Sequence, residues 1–210
     1  MVKLSLILST LVILWCPFST TAQVDFSSTD AFLKSTLKAD DRLSFEAKGD
    51  LNDDGLEDWA GVINRKREET SRTDQLYVLL RLREGGYRVA EKSREEEVPG
   101  TGCCAVEILE IRRSSIHIQN NVQTDGKMTA TTHQFKLHNG VWRLVGMKTS
   151  QTDFNPAVSV EIDTEVNLLT GSVIEKRQKG DDKPVIMRRR KRFATYLLKN
   201  FDFSPRFGNK

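Results

Sequence analysis

Apolar residues recur at every second position along most of the chain, in short runs separated by turn residues. The segments "RLSFEAKG", "SIHIQNNV" and "AVSVEIDTEV" show this alternation, which is typical of strands with one buried face. About ten such runs follow one another from Leu43 onward, at intervals of roughly 8 to 12 residues. The pattern predicts a mainly β fold: an antiparallel sandwich, barrel or propeller fragment.

One segment near the N-terminal end departs from this alternation. In "SSTDAFLKSTLKADD", Phe32, Leu33 and Leu37 fall on one face at helical spacing, and Ser28 or Thr29 can cap the first turn. We therefore predict a short N-terminal helix that covers one side of a sheet. Turns between strands are predicted at Gly85-Gly86, Asn139-Gly140 and Thr170-Gly171, because glycine and asparagine adopt the left-handed conformation that tight hairpins need.

Residues 1–22 have the features of an export signal. A basic residue, Lys3, precedes the apolar run "LSLILSTLVILWCPF", and the small residues of "STTA" precede Gln23. The alternative is a retained membrane anchor, but the run is shorter than the roughly 20 residues that a spanning helix needs. We predict a signal peptide at 1–22 and a single β-rich domain at 23–210, with halves at 43–98 and 103–205. We expect the protein to be bacterial and either periplasmic or secreted. After the signal peptide is cleaved, we expect no membrane-spanning segment.

The net charge of the chain gives no support to one class of function, nucleic-acid binding. The formal net charge of the chain is +3, and removal of residues 1–22 takes away only Lys3 and leaves +2. Such a balance gives no overall attraction to nucleic acid.

Cys103 and Cys104 are adjacent in "GTGCCAVEI". In an oxidising compartment they could form a strained vicinal disulfide, stay as buried thiols, or be linked to another chain or to a metal, and the sequence leaves these alternatives open.

The segment "GDLNDDGLEDWAG" carries the clearest chemistry. Counted from Asp50, side-chain oxygens stand at positions 1, 3, 5 and 9, a glycine at position 6 and a backbone carbonyl at position 7; the predicted calcium ligands are Asp50, Asn52, Asp54, Leu56 and Asp58. Hard oxygen ligands of this kind select Ca²⁺ over zinc or copper. The alternative is a polar loop in which the same side chains form Asx turns without metal.

Position 12 distinguishes two classes of calcium loop. A helix-loop-helix site has a bidentate glutamate there, whereas this chain has Gly61, followed by strand-like sequence. Together with "QLYVLLRLREGGYRV", the loop resembles the calcium-binding β-hairpin of FG-GAP and VCBS repeats, in a single copy. The whole chain is similar to a group of secreted bacterial β-rich proteins that pair one such loop with a hairpin like "HQFKLHNGVWRLVGM". The resemblance implies fold and compartment, and no mechanism.

Other polar features of the sequence give weaker indications of catalysis or binding. The sequence has no G-x-S-x-G, H-E-x-x-H or C-x-x-C motif. His117, His133 and His138 fit solvent-facing or hydrogen-bonded strand positions, and the acids of "REEEVPG" fit a solvated surface better than a catalytic pair. The basic run 187–193, "MRRRKRF", either protects a sheet edge or binds an anionic polymer of the cell surface.

These observations favour an exported, non-catalytic binding or structural module of the cell envelope, stabilised by calcium. Its expected partner is a protein or glycan of the envelope. The alternatives are a periplasmic immunity-type inhibitor protein, with a charged segment as its plug, and, less favoured, a hydrolase that uses carboxylates. The sequence predicts no catalytic residues.

Overall fold

The computed structural model describes residues 25–67, 71–98, 106–124, 126–154 and 159–203. In chain order the elements are β1 (Asp25–Phe26), α1 (Thr29–Thr36), β2 (Arg42–Gly49), β3 (Asp58–Lys66), β4 (Arg72–Arg81), β5 (Tyr87–Lys92), β6 (Glu96–Val98), β7 (Val106–Arg112), β8 (Ser115–Thr124), β9 (Lys127–His138), β10 (Val141–Asp153), β11 (Val160–Asn167), β12 (Ser172–Lys179), β13 (Val185–Arg190) and the 3-10 helix η1 (Leu198–Asn200). The predicted signal peptide, Cys103 and Cys104 lie outside the described residues.

The strands form two antiparallel sheets. Sheet A has the order β1-β5-β4-β3-β2, with β6 also paired to β4, and sheet B has the order β13-β12-β11-β10-β9-β8-β7. Every strand of sheet B therefore pairs with its neighbours in sequence, as in a meander built from consecutive hairpins. The predicted mainly β fold is confirmed, and two facing sheets correspond to the sandwich among the predicted arrangements.

The predicted helix and turns are also present. The side chain of Ser28 accepts a hydrogen bond from the backbone N–H of Ala31 at 3.1 Å and so caps α1. At the β9–β10 turn, Asn139 and Gly140 both have positive φ, 52° and 75°, as a tight hairpin requires.

The main core lies between the two sheets. Sheet A contributes Val62, Leu76, Val78 and Leu80, and sheet B contributes Ile116, Ile118, Phe135 and Leu144; all eight are buried. The C-terminal segment closes this core, because Phe201 and Phe203 are both buried within it. These two rings dock the C-terminal segment on the core. Phe207, the third aromatic residue of that segment, lies outside the described residues.

A second core lies on the opposite face of sheet A. Phe32 of α1 packs there on the rings of Trp59 and Tyr77, with centroid distances of 5.7 and 5.3 Å. Because both faces of sheet A are covered, the side chains of β3 are buried without interruption from Asp58 to Arg65. This double cover explains why "DWAGVINR" lacks the alternation of a strand with one wet face.

Gly61 has a structural role in β3. A Cβ at this position would lie 2.1 Å from the ring of Trp59, whose side chain crosses over the glycine. Trp59 is fully buried, and its Nε1–H donates to Oε2 of Glu46 at 2.8 Å. The ring therefore occupies the space that a glutamate at position 12 of a helix-loop-helix calcium site would need.

One of the histidines, His133, is buried. His133 on β9 is completely buried and contacts Phe201, with ring centroids 5.0 Å apart. The sequence predicted a solvent-facing or hydrogen-bonded strand position for His133, and the solvent-facing alternative is wrong because the side chain lies in the core. Among the described residues, no helix has the length and apolar character needed to cross a membrane.

Candidate metal site and binding surfaces

The acidic loop joins β2 to β3 and is held at its start by an apolar anchor. The side chain of Leu51 is 1% exposed and packs in the core between the sheets. Asp53 and Gly55 both adopt positive φ, 60° and 82°, which folds the chain back within a few residues. The loop is therefore a tight turn on a fixed base.

Asp50 organises the inside of this turn. Its Oδ1 accepts hydrogen bonds from the N–H groups of Asn52 and Asp54 at 3.3 and 3.2 Å, and its Oδ2 accepts one from Gly55 at 2.8 Å. One carboxylate thus accepts from three backbone donors of the loop. This contact places the first predicted ligand at the centre of the turn.

Asn52 and Asp54 repeat the arrangement further along the loop. Oδ1 of Asn52 accepts from the N–H of Asp54 at 3.2 Å, and Oδ1 of Asp54 accepts from the N–H of Leu56 at 2.9 Å. The side-chain amide of Asn52 also donates to Oδ2 of Asp54 at 2.9 Å. The structure therefore brings Asp50, Asn52 and Asp54 together through nested Asx turns. Oδ1 of Asp50 accepts two hydrogen bonds, whereas the other accepting oxygens accept one each and keep a second lone pair. Both predicted interpretations of the loop therefore fit these bonds.

Asp58 differs from the other predicted ligands. It is fully buried, and its two carboxylate oxygens accept from the N–H groups of Leu51 and Arg81, both at 2.8 Å. Burial raises the pKa of Asp58, the two backbone hydrogen bonds act in the opposite direction, and the carboxylates of Asp54 and Asp50 raise it further. Asp58 is therefore a structural acceptor that joins the loop to β4. Its predicted role as a calcium ligand stays a prediction.

The oxygen donors decide which metal the loop could take. In the part of the chain that the structure describes, no group of three or more His, Cys, Asp or Glu side chains is arranged to hold a metal ion. A site here would need the Asn52 amide and the Leu56 carbonyl beside the carboxylates of Asp50 and Asp54. Those donors are all hard oxygens and fit Ca²⁺, which accepts carbonyl, carboxylate and water ligands together.

The loop also contacts the second sheet. Ser114 Oγ donates a hydrogen bond to Oδ1 of Asp53. Ser114 lies in the β7–β8 turn, where it and Arg113 have positive φ of 54° and 51°. Nearby, a Cβ on Gly49 would lie 2.6 Å from the side chain of Ile111, so the end of β2 packs tightly on β7. Ordering the loop would therefore also order the edge where the two sheets meet.

A groove of about 570 Å³ crosses the outer face of sheet B, on the side away from sheet A. Most of the residues that line it are polar or charged, among them Arg112, His117, Gln134, Lys148, Glu165 and Asn167. Met147, Val166 and Ile174 add apolar surface to the same groove. A Cβ on Gly146 would lie 2.8 Å from Oε1 of Gln134, so the missing side chain leaves room for that amide in the groove. Amides, hydroxyls and charges on one concave surface suit a ligand rich in hydrogen-bonding groups.

The charges of the groove are partly balanced. Nζ of Lys148 lies 3.8 Å from Oε1 of Glu165, and Nε of Arg112 lies 3.9 Å from Oε2 of Glu110. Burial lowers the pKa of His117, and the positive charge of Arg112 lowers it further. His117 is therefore mainly neutral at pH 7 and presents an imidazole that can donate and accept hydrogen bonds. Sequence spacing could not reveal this groove, because its residues come from six strands.

The acids of "REEEVPG" have structural partners. Glu95 accepts a hydrogen bond from Arg67 and lies 3.6 Å from Nε of Arg65. Oε1 of Glu97 accepts from the hydroxyl of Ser71 at 2.8 Å. These contacts join the end of β3 and the start of β4 to the segment around β6, as expected of a surface network.

Comparisons with family models, with curated proteins and with solved structures gave no match.

Proposed function

We propose that the protein is an exported, non-catalytic binding or structural module of the cell envelope whose acidic loop is stabilised by calcium. The observation that carries this proposal is the convergence of Asp50, Asn52 and Asp54 on the inside of one tight turn. The carboxylates of Asp50 and Asp54, at positions 1 and 5 of the loop, repel each other, and a divalent cation between them offsets that repulsion. Ca²⁺ would supply rigidity to the loop and to the edge that Asp53 and Ser114 connect.

The outer groove of sheet B supports the binding part of the proposal. It offers hydrogen-bonding side chains on a surface that the core does not use, and an envelope glycan or protein presents matching groups. The buried carboxylates are engaged elsewhere. Asp58 accepts from two backbone amides, and Asp74 accepts from the side chain of Asn64 at 2.6 Å. Such fixed acceptors favour a structural role for these acids over acid–base catalysis.

A second candidate function is a periplasmic immunity-type inhibitor. The observation that favours it is the exposed basic strand β13 at the free side of sheet B. A strand in this position can contact an acidic surface of another protein without any change in the core.

Calcium at 10 mM is expected to raise the free energy of unfolding by about 1.4 to 2.7 kcal/mol, for a dissociation constant of roughly 10⁻⁴ to 10⁻³ M typical of extracellular modules. For a chain of this size that corresponds to a rise in Tm of about 3 to 11 °C. Differential scanning calorimetry of the mature protein in calcium and in EDTA measures the shift. Asp50→Asn combined with Asp54→Asn is expected to abolish it.

The matched control is Glu57→Gln, which removes a charge from the same loop. The Glu57 side chain is exposed and is not among the groups that Asp50 and Asp54 organise. This variant should keep the rise in Tm with calcium. The rise should be only slightly smaller, because the loop has one negative charge fewer to attract Ca²⁺. An unchanged wild-type melting curve at 10 mM calcium, or an equal loss of response in Glu57→Gln, would contradict a specific site.

The binding role is tested with groove variants. Immobilised mature protein is expected to retain purified envelope polysaccharide or solubilised envelope protein, and Gln134→Ala with Asn167→Ala should reduce the retained amount at least tenfold. Lys34→Ala with Lys92→Ala, on exposed positions of α1 and β5, serves as the control. Equal retention by the groove variant and the wild type would show that the groove is not the binding surface.

A further inference from the structure

Strand β13 forms one side of sheet B and is exposed along its whole length. It pairs with β12 from Val185 to Arg190, and no further strand pairs with it in the described ranges. The exposed fractions of Val185, Ile186 and Met187 are 62%, 50% and 49%. The next three residues are arginines, also exposed. The predicted basic run therefore begins inside an edge strand whose first half is apolar.

The strand is held in place by its neighbours. All six of its residues are in register with β12. Just beyond its end, the N–H of Lys191 donates to the carbonyl of Gly171 at 2.9 Å, and a Cβ on Gly171 would lie 2.2 Å from the carbonyl oxygen of Lys191. The edge is therefore a preformed strand, so a partner that adds to it has no need to order it first.

The other long edges of the sandwich are differently situated. The end of β2 packs tightly against β7 at Gly49 and Ile111, so these two sheet edges lie against one another. On the far side of sheet A, β1 has only two residues. By contrast, β13 presents about 20 Å of strand, in which every second residue directs its N–H and C=O away from β12.

Charge decides which kind of strand can pair there. Nη2 of Arg189 lies 3.6 Å from Oε2 of Glu175. Arg188 and Arg190, by contrast, have no carboxylate within salt-bridge distance in the described part of the chain. Pairing β13 with a second copy of itself would bring two clusters of three arginines into one small sheet, together with Lys191 and Arg192 of each copy. Acidic side chains opposite the arginines instead give cross-strand pairs of opposite charge, which are favourable.

We propose that β13 is a docking edge for an extended acidic segment of another protein, which adds to sheet B as an antiparallel strand. Its acidic residues come first and lie opposite Arg190 to Arg188, and β-branched residues follow opposite Met187 to Val185. The backbone supplies the hydrogen bonds, and the arginines select the partner and its direction. This inference rests on the binding role proposed above but not on calcium or on the groove.

The probe is the blocked peptide GEEEVTVTG, and the readout is the set of backbone amide shifts of the mature protein in two-dimensional NMR. The peptide is expected to shift amides of β13 and β12 and to bind with a Kd below about 1 mM. The reversed peptide GTVTVEEEG and the basic peptide GKKKVTVTG should bind at least tenfold more weakly. Arg188→Glu with Arg190→Glu, both fully on the surface, should weaken GEEEVTVTG at least tenfold.

The control variant is Lys34→Glu with Lys92→Glu, which makes the same change in charge away from β13 and should leave the affinity unchanged within twofold. No shifts of β13 amides at 1 mM peptide, or equal binding of the reversed peptide, would overturn the proposal. A concentration-dependent dimer in sedimentation that Arg188→Glu with Arg190→Glu strengthens would overturn it in favour of self-pairing. Shifts of β13 with a heparin oligosaccharide but not with the peptide would assign the edge to anionic polymers. None of these results changes the expected rise in Tm with calcium. Calcium binding by the acidic loop and strand addition at β13 can therefore be disproved independently.

Discussion

Replacing Asp58 by alanine is expected to lower the free energy of unfolding by about 3 kcal/mol. The substitution removes the acceptor of two backbone N–H groups, those of Leu51 and Arg81, each at 2.8 Å. The Leu51 amide is buried with the carboxylate, so water cannot replace the lost acceptor there. A buried donor left without a partner costs about 1 to 3 kcal/mol, and the carboxylate that satisfies both donors is itself fully buried.

Chemical denaturation of the wild type and the variant in EDTA measures this loss and separates two roles of Asp58. A structural acceptor stabilises the loop with or without calcium, so the difference should persist in the chelator. If Asp58 acted only as a metal ligand, the difference would appear with calcium and vanish in EDTA. Glu57→Ala, at the neighbouring exposed acid, is the control and should change stability by less than about 0.5 kcal/mol.

Local sequence signals predicted much of the fold because the structures they specify are also local. The cap at Ser28 and the turn at Asn139-Gly140 depend on a few neighbouring residues, and both are present. Alternating apolar positions predicted strands such as β8 and β9 of sheet B, because one face of each lies on the core. The loop at Asp50 was recognisable for the same reason, since its acceptors bond to amides within five residues.

Contacts between distant segments could not be predicted in this way. The choice of a sandwich depends on how sheet A packs on sheet B, and neither periodicity nor turn chemistry encodes that packing. Asp58 looked like its neighbours in the acidic run, yet its partner Arg81 is 23 positions away. Gly61 looked like a missing calcium ligand, and only the position of the Trp59 ring shows why no side chain fits there.

The wild-type protein is expected to lose about 3 kcal/mol of stability between pH 7 and pH 4 through His133 alone. This histidine is fully buried in the core beside Phe201, and burial lowers its pKa from 6.5 to about 4. The unfolded chain therefore binds a proton between pH 6.5 and 4 that the folded protein does not bind. Folding stability from this group is complete above pH 6.5 and is lost as the pH falls toward 4.

Urea denaturation at intervals between pH 4 and 7 measures the effect, with His133→Phe as the test variant. Phenylalanine keeps an aromatic ring against Phe201 but cannot bind a proton, so the slope of stability against pH should become shallower by the whole histidine contribution. Phe135→Leu is the control because it weakens the same core, where Phe135 packs 4.9 Å from Phe201, without changing a titratable group. It should lower stability by a similar amount at every pH. Parallel curves for wild type and His133→Phe would show that His133 is protonated equally in the folded and unfolded states, which a fully buried imidazole does not permit.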